Sequence, residues 1–251
     1  MQRQRFELKY RLTEELAPQV REFVSSYLEL DENGVGKPDY SYPVHSLYLD
    51  SDTLATYWAT VNGDRNRFKL RLRFYNDDPA SPVFFEIKRR VDNVIFKQRA
   101  GLRKAAVPVL LAGQWPAAEH LLIDDSKQGA AIERFLELMQ GLGASPKVHV
   151  GYQREAWVDP RGSHVRVTFD RHVRAEAAPT AQIRTEMAQP VETFGRQVIL
   201  ELKFTNFFPL WFRALVERFD LMRTGAAKYC DAVERIGPHK LGNSLRLAVN
   251  A

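Results

Sequence analysis

The nine residues from 67 to 75 read RFKLRLRFY. At the two-residue period of a β-strand, they place Arg67, Lys69, Arg71 and Arg73 on one face and large apolar residues on the other. One such strand, half-buried with its charged side in water, is ordinary in a globular protein. The fold prediction therefore depends on whether the pattern recurs elsewhere in the chain.

Four more stretches repeat the pattern, at residues 6–12, 84–90, 165–170 and 198–204. Their charged faces carry Glu7, Lys9, Arg11, Glu86, Lys88, Arg90, Arg166, Asp170, Glu201 and Lys203. Five strands with apolar residues on one side and a mainly basic set on the other predict an α+β fold. We expect a closed antiparallel β-barrel with a basic polar interior and helices packed outside.

Cations confined in such an interior repel one another. At an effective dielectric constant near 20, two unit charges about 4 Å apart interact by roughly 4 kcal/mol. The predicted interior therefore requires a polyanion, and its carboxylates would compensate part of the charge or hold a divalent metal.

The whole chain supports an anionic ligand and excludes several other classes. It has 251 residues, a net charge of +5 and one cysteine, so neither a disulfide framework nor a cysteine zinc site is expected. It contains no phosphate-binding glycine loop, dinucleotide fingerprint, nucleophile elbow or paired histidine motif. With no long apolar run and no signal sequence, we expect a cytoplasmic protein with a single domain over residues 1–251 and a mobile tail from about residue 238.

One predicted strand departs from clean alternation. In the stretch that begins at residue 147, Tyr152 and Arg154 fall in phase with the apolar Val148 and Val150. Either a β-bulge or burial of both faces would explain this pattern, and the sequence leaves both open. Amphipathic helices are predicted around it, the clearest near residues 132–139 and after Pro209.

A series of short motifs resembles one known family in order and over nearly the whole chain, from residue 6 to about 234. These motifs are Lys9-Tyr10, Tyr48-Leu49-Asp50, residues 70–75, residues 84–88, Lys97 with Arg99, Tyr152 with Arg154, residues 165–170, Glu201 with Lys203, and Lys228-Tyr229. Together they resemble the VTC-type polyphosphate polymerase domain, within the triphosphate tunnel metalloenzyme (CYTH-like) superfamily. Each motif alone is weak, but nine in the same order are specific.

The resemblance implies roles for individual residues. The implied catalytic cations are Lys9, Arg71, Arg73, Lys88, Lys97, Arg154, Arg166, Lys203 and Lys228. The implied substrate-binding residues are Arg99, Tyr152 and all of these cations except Lys9 and Lys203. Glu201 is the implied ligand of Mn²⁺ or Mg²⁺; Glu86 and Asp170 could assist it, or could equally be ion-pair partners that order a neighbouring lysine.

The implied activity is transfer of the terminal phosphoryl group of ATP onto a growing polyphosphate chain. The expected partners are ATP and inorganic polyphosphate or pyrophosphate, and no nucleic acid. A tunnel-type triphosphatase and a non-catalytic polyphosphate-binding module stay open as alternatives. Two departures from the family pattern are Ala227, where a serine is usual, and Arg5, where the superfamily's hydrolases carry a first glutamate. The regulatory SPX domain and the membrane helices of the eukaryotic complex have no counterpart here, so we expect a stand-alone bacterial form and leave a membrane partner open.

Overall fold

A computed structural model describes residues 5–92, 94–123, 125–162 and 165–242. The tail was expected to be mobile from about residue 238. Residues 238–242 are described, with one helical turn at Pro238–Lys240 and a buried Leu241, and the remainder of the tail lies outside the described residues. The main elements are β1 (Arg5–Leu12), α1 (Ala17–Ser25), β2 (Glu29–Leu30), β3 (Ser41–Asp50), α2 (Ala55–Val61), β4 (Asn66–Phe74), β5 (Pro82–Val91), β6 (Val94–Arg103), α3 (Ala106–Leu111), α4 (Ser126–Leu142), β7 (Ser145–Val158), β8 (Arg166–Ala177), β9 (Val191–Glu192), β10 (Val198–Thr205), α5 (Leu210–Arg218) and α6 (Lys228–Ile236).

The strands form one large antiparallel sheet in the order β2-β7-β3-β4-β5-β6-β1-β10-β8-β9, and β7 also pairs with β8. All five stretches singled out for their alternation are strands of this sheet. The α+β class and the antiparallel arrangement follow from that alternation, because each strand has one face to bury.

The predicted closed barrel is wrong, because the sheet is not closed into a barrel. Among the described residues, the registered pairing of β1 with β6 is limited to Arg5↔Ile95, whereas β1 pairs with β10 from Arg5 to Leu12. Alternation specifies which face of a strand is buried. It does not specify strand tilt and stagger, on which closure depends.

The apolar face of the sheet is covered by helices in two main clusters. Helices α3 and α4 cover β4, β5 and β6, where Leu70, Leu72 and Phe85 are almost fully buried. Helices α1 and α5 cover β1, β8 and β10. This packing holds the cationic face of β4 on the opposite side, toward the concave polar face of the sheet.

Helix α6 does not follow the predicted arrangement of helices outside the sheet, because its first turn borders the polar face. Tyr229 stacks on Tyr48 of β3 with ring centroids 4.9 Å apart, and its hydroxyl donates to Asp50 over 2.7 Å. Asp50 is fully buried and also accepts from Thr56 and from backbone amides at the start of α2. This network fixes the end of α6 that carries Lys228.

The irregular strand β7 shows both features that the sequence left open. Its register against β8 shifts between Gly151 and Gln153, which is a bulge. Residues 147–152 are all buried, so both faces are covered in this part of the strand. The inner face is covered by the cluster that contains Tyr229 of α6, and this explains why Val148 and Val150 lie in phase with Tyr152.

Within the described part of the chain, no helix is both long and apolar enough to cross a membrane.

A basic cavity as the candidate active site

The polar face of the curved sheet encloses a cavity of about 980 Å³. Its lining includes most of the predicted site residues: Lys9, Arg71, Arg73, Lys88, Lys97, Arg99, Tyr152, Arg154, Arg166, Glu201, Lys203 and Lys228. Glu86 and Asp170 are not among the lining residues; both are fully buried in the wall behind the cations. The alternating strands therefore bring the predicted cations together, and two of the three predicted carboxylates lie behind them.

Glu201 of β10 lies at the centre of one group of cations. Lys203 Nζ is 2.6 Å from its carboxylate, Lys228 Nζ 2.9 Å, Arg154 3.4 Å and Lys9 3.5 Å. Burial alone would raise the pKa of Glu201, but the four cations hold it well below its usual value. Glu201 is therefore a carboxylate, shared among side chains from β1, β7, β10 and α6.

Asp170 of β8 ties two of these cations in place. Arg154 binds it with both ends of its guanidinium, at 2.7 and 2.8 Å, and Lys228 Nζ lies 2.6 Å away. Burial would lower the pKa of Lys228, but Asp170 and Glu201 raise it above its usual value. The geometry is that of an ion-pair partner that orders Arg154 and Lys228.

Glu86 of β5 forms ion pairs with a second group of cations in the same way. Arg71 lies 2.7 Å from its carboxylate, Lys97 2.6 Å and Arg99 3.8 Å. Burial would raise the pKa of Glu86, whereas Arg71, Arg73 and Lys97 lower it far below its ordinary range. Its carboxylate is completely enclosed, so Glu86 compensates charge within the wall.

Arg73 of β4 differs from these cations because its hydrogen bonds within the described residues go to hydroxyl groups. It donates to Ser46 Oγ at 3.1 and 3.3 Å and to the hydroxyl of Tyr152 at 3.1 Å, and only 7% of the residue is exposed. Its hydrogen-bond partners are neutral, and it shares the charge of Glu86 with Arg71 and Lys97. The guanidinium is therefore incompletely compensated, which makes it a site where an anion would bind strongly.

Two lysines of the cavity have pKa values near neutrality. Burial lowers the pKa of Lys97 to about 7, with Arg71 and Arg73 acting in the same direction and Glu86 opposing them. Burial lowers the pKa of Lys203 to about 8, and Glu201 opposes that shift. The charge of the cavity therefore changes across the physiological pH range.

Several cavity residues were not among the predicted site residues. Glu7 of β1 lies 3.2 Å from both Lys9 and Lys88 and links the β1 side of the cavity to β5. Lys69 of β4 donates to Thr60 Oγ1 at 2.9 Å and to Cys230 Sγ at 3.4 Å. The alternation placed Glu7 and Lys69 on the charged faces of their strands, but the family resemblance assigned them no role at the site. Arg223 also lines the cavity, but it lies in an irregular segment after α5 where no periodic signal exists.

Whether the site could hold the implied Mn²⁺ or Mg²⁺ depends on the side chains that are available as ligands. Among the described residues, no group of three histidine, cysteine, aspartate or glutamate side chains is placed to hold a metal. Glu201 is the predicted metal ligand that reaches the cavity. Because Mg²⁺ often uses one or two carboxylates and completes its shell with substrate phosphate and water, the residues fit a metal that enters together with a phosphate ligand.

The family model of the VTC domain matches residues 4–236. A proposed adenylate cyclase from Bacillus halodurans superposes with a TM-score of 0.48 at 10% identity, covering 89% of this chain and 94% of that one. The PH1819 protein of Pyrococcus horikoshii OT3 gives 0.44 at 12% identity, covering 90% and 93% of the two chains. No curated protein matches the chain.

Proposed function

The chain belongs to the VTC domain family, and from this premise we propose that it is a polyphosphate polymerase. In the proposed reaction the terminal phosphoryl group of ATP passes to the end of a growing polyphosphate chain. The bond from that phosphorus to the bridging oxygen of ADP breaks, and a bond to a terminal oxygen of the polyphosphate forms. Family membership and the basic cavity support the coarser statement, a function on phosphate compounds.

One observation carries the proposal: the cavity has far more positive than negative charge. Within the described residues, fourteen lysine and arginine side chains line it, against the three carboxylates of Glu7, Asp159 and Glu201. Even with Glu86 and Asp170 in the wall, cations remain in large excess. A linear phosphate polyanion would complete the charge balance of such an enclosure.

The cations suit phosphoryl transfer, which depends on positioning and charge neutralisation more than on a covalent nucleophile. Arg73 presents a planar guanidinium group that can donate two hydrogen bonds to phosphate oxygens. Glu86 and Asp170 occupy one edge of the guanidinium groups of Arg71 and Arg154, whose remaining N–H groups can donate to phosphate. Lys228, held by Asp170, would stabilise the charge that develops on the transferred group. A divalent metal held by Glu201, when bound, would supply further neutralisation of the phosphate oxygens.

A tripolyphosphatase is the second candidate, because Glu7 and Lys9 of β1 both line the cavity and form an ion pair there. This pair is part of the carboxylate and lysine signature that the sequence shares incompletely with the superfamily's hydrolases. The hydrolase would use the same cations and differ only in passing the phosphoryl group to water.

The decisive experiment is to incubate the purified protein with ATP and Mn²⁺ and to separate the products on a polyacrylamide gel. A ladder of long chains supports the polymerase, and orthophosphate alone supports the hydrolase. Binding of polyphosphate without any product identifies a non-catalytic module. The Glu201→Gln variant is the control, since it removes the charge of the proposed metal ligand; unchanged turnover in it contradicts the metal assignment.

A further inference from the structure

The cavity lining becomes aromatic at the end of β4. The inward-facing row of this strand runs through its cations to Arg73, and the next residue in that row is Tyr75. On the neighbouring strand β3, the lining residues at the same end are Tyr42 and Val44. Across from Val44, β7 contributes Tyr152. Side chains from three neighbouring segments thus place rings beside the cations of the cavity.

Tyr75 is held in place by other aromatic rings. Its ring centroid lies 6.4 Å from that of Tyr42 and 6.1 Å from that of Phe84 on β5, with interplanar angles of 53° and 72°. Aromatic pairs favour such tilted and edge-to-face contacts. Neither neighbour stacks flat on Tyr75, and the residue is only half-buried where it lines the cavity. Its ring can therefore take a further stacking partner from the cavity side.

The aromatic residues are joined to the cations that would bind phosphate. Arg73 donates to the hydroxyl of Tyr152 and Arg166 donates to that of Tyr42, both over 3.1 Å. Along the chain, Tyr75 lies two residues beyond Arg73, which corresponds to about 7 Å at the rise of a strand. A ligand that stacks on Tyr75 thus places its neighbouring groups beside Arg73.

We infer, building on the function proposed above, that Tyr75 and Tyr42 form a nucleobase subsite beside the phosphate site. Bases stack on aromatic side chains through a π-face that every base has, so this subsite recognises a nucleoside without selecting the base. The α-phosphate then lies near Arg73, and the other two phosphates extend toward Arg71. An inorganic phosphate chain has no group that gains from these neutral rings, so the subsite distinguishes nucleoside triphosphates from it.

The test compares ATP with methyl triphosphate, which carries the same charge without a nucleoside. Kd values for Tyr75→Leu and the wild type are measured by calorimetry in the same buffer and salt, without added metal so that neither ligand is turned over. The variant removes the ring and keeps an apolar side chain. ATP should bind it about tenfold more weakly, the equivalent of roughly 1.4 kcal/mol. Methyl triphosphate should bind it as it binds the wild type.

Two further variants make the result specific. Tyr75→Phe keeps the ring and should retain the affinity of the wild type for ATP. Tyr27→Leu removes an exposed tyrosine outside the cavity lining and should leave both Kd values unchanged. Unchanged binding of methyl triphosphate also shows that Tyr75→Leu leaves the phosphate site folded.

The nucleobase subsite would be overturned by equal weakening of both ligands in Tyr75→Leu, by unchanged binding of ATP, or by equal affinity of the wild type for the two ligands. The experiment measures binding and the product gel measures transfer, so the two proposals can fail separately. A protein that makes no polymer but loses ATP affinity selectively refutes the polymerase and keeps the subsite. A protein that makes polymer, while Tyr75→Leu binds ATP as the wild type does, keeps the polymerase and removes the subsite.

Discussion

At the scale of single residues, Arg73 is the cation whose environment most clearly requires an anion. Its partners Ser46 and Tyr152 are neutral, and its guanidinium is buried in the wall of the cavity. Substitution by glutamine should weaken tripolyphosphate and long polyphosphate alike, by about 1.5–3 kcal/mol, the range for a hydrogen bond to a charged group. Calorimetry measures the change, and Arg174→Gln, an exposed arginine of β8 outside the cavity lining, is the control. Retained affinity for both ligands would remove Arg73 from the phosphate site.

The pKa of Lys97 leads to a prediction about how phosphate binding depends on pH. Its pKa of about 7 means that the ammonium loses its proton as the pH rises through neutrality, whereas a bound polyanion favours the charged form. The affinity for tripolyphosphate should therefore fall above pH 7, with proton uptake on binding. The ligand's own titration has the opposite sign, because it gains negative charge as the pH rises.

Calorimetry in two buffers of different ionisation enthalpy measures that proton uptake directly. The Lys97→Arg variant stays charged throughout this range, so its affinity should change less with pH. Identical pH profiles for the variant and the wild type would mean that another group, with Lys203 at about 8 the first candidate, carries the effect.

Single residues also show what the sequence could specify about the site. Alternation alone placed Arg71, Arg73 and Lys69 on one face, because a strand permits only two faces. It could not show that Glu86 and Asp170 are enclosed behind their cations, since that depends on which strands become neighbours. The roles left open for these two carboxylates depend on that burial, and in the structure both are ion-paired and fully buried.

At the scale of elements, β7 shows why one strand was harder to predict than the others. Its inner face is covered by α6 over part of its length and lines the cavity over the rest, so Val148 and Arg154 share a phase without sharing an environment. The covering helix lies more than 70 residues later in the chain. No local pattern can encode a contact of that kind.

The bulge in β7 gives a stability prediction at Gly151. A methyl group there would lie 2.9 Å from the ring of His45 and 2.9 Å from the end of Met187. Since the pairing of β3 with β7 sets His45 directly opposite Gly151, Gly151→Ala should lower the free energy of unfolding by about 1–3 kcal/mol. Chemical denaturation followed by tryptophan fluorescence measures the change.

Gly129 in α4 is the matched control, because a methyl group there meets no neighbour within 4 Å. Gly129→Ala should raise the free energy of unfolding by roughly 0.5–1 kcal/mol, since alanine is the better helix former. If the Gly151→Ala variant were as stable as the wild type, the conclusion that β3 and β7 lie close together at the bulge would be wrong.

At the scale of the whole molecule, the sequence predicted the strands of the sheet correctly but was wrong about whether the sheet closes into a barrel. The five alternating strands and their common basic face are present, and their cations line one cavity. The closed barrel was the wrong prediction; within the part of the chain that the structure describes, β1 and β6 are paired in register at Arg5↔Ile95 alone. Strand faces are local properties of the sequence, whereas the meeting of two strands far apart in the chain is a property of the assembled sheet.

An enclosed excess of positive charge also links the stability of the whole molecule to its ligand. Any ligand that binds only the folded state adds RT ln(1 + [L]/Kd), which is about 2.7 kcal/mol at a hundredfold excess over Kd. Tripolyphosphate should therefore raise the unfolding temperature, whereas duplex DNA at the same phosphate concentration should not, because a duplex is too wide to enter a cavity of about 980 Å³. Thermal unfolding followed by fluorescence at fixed salt measures both, and Arg73→Gln should reduce the tripolyphosphate shift. If duplex DNA stabilised the protein equally, the cations would be acting as an open basic surface, and recognition of phosphate by enclosure would have to be abandoned.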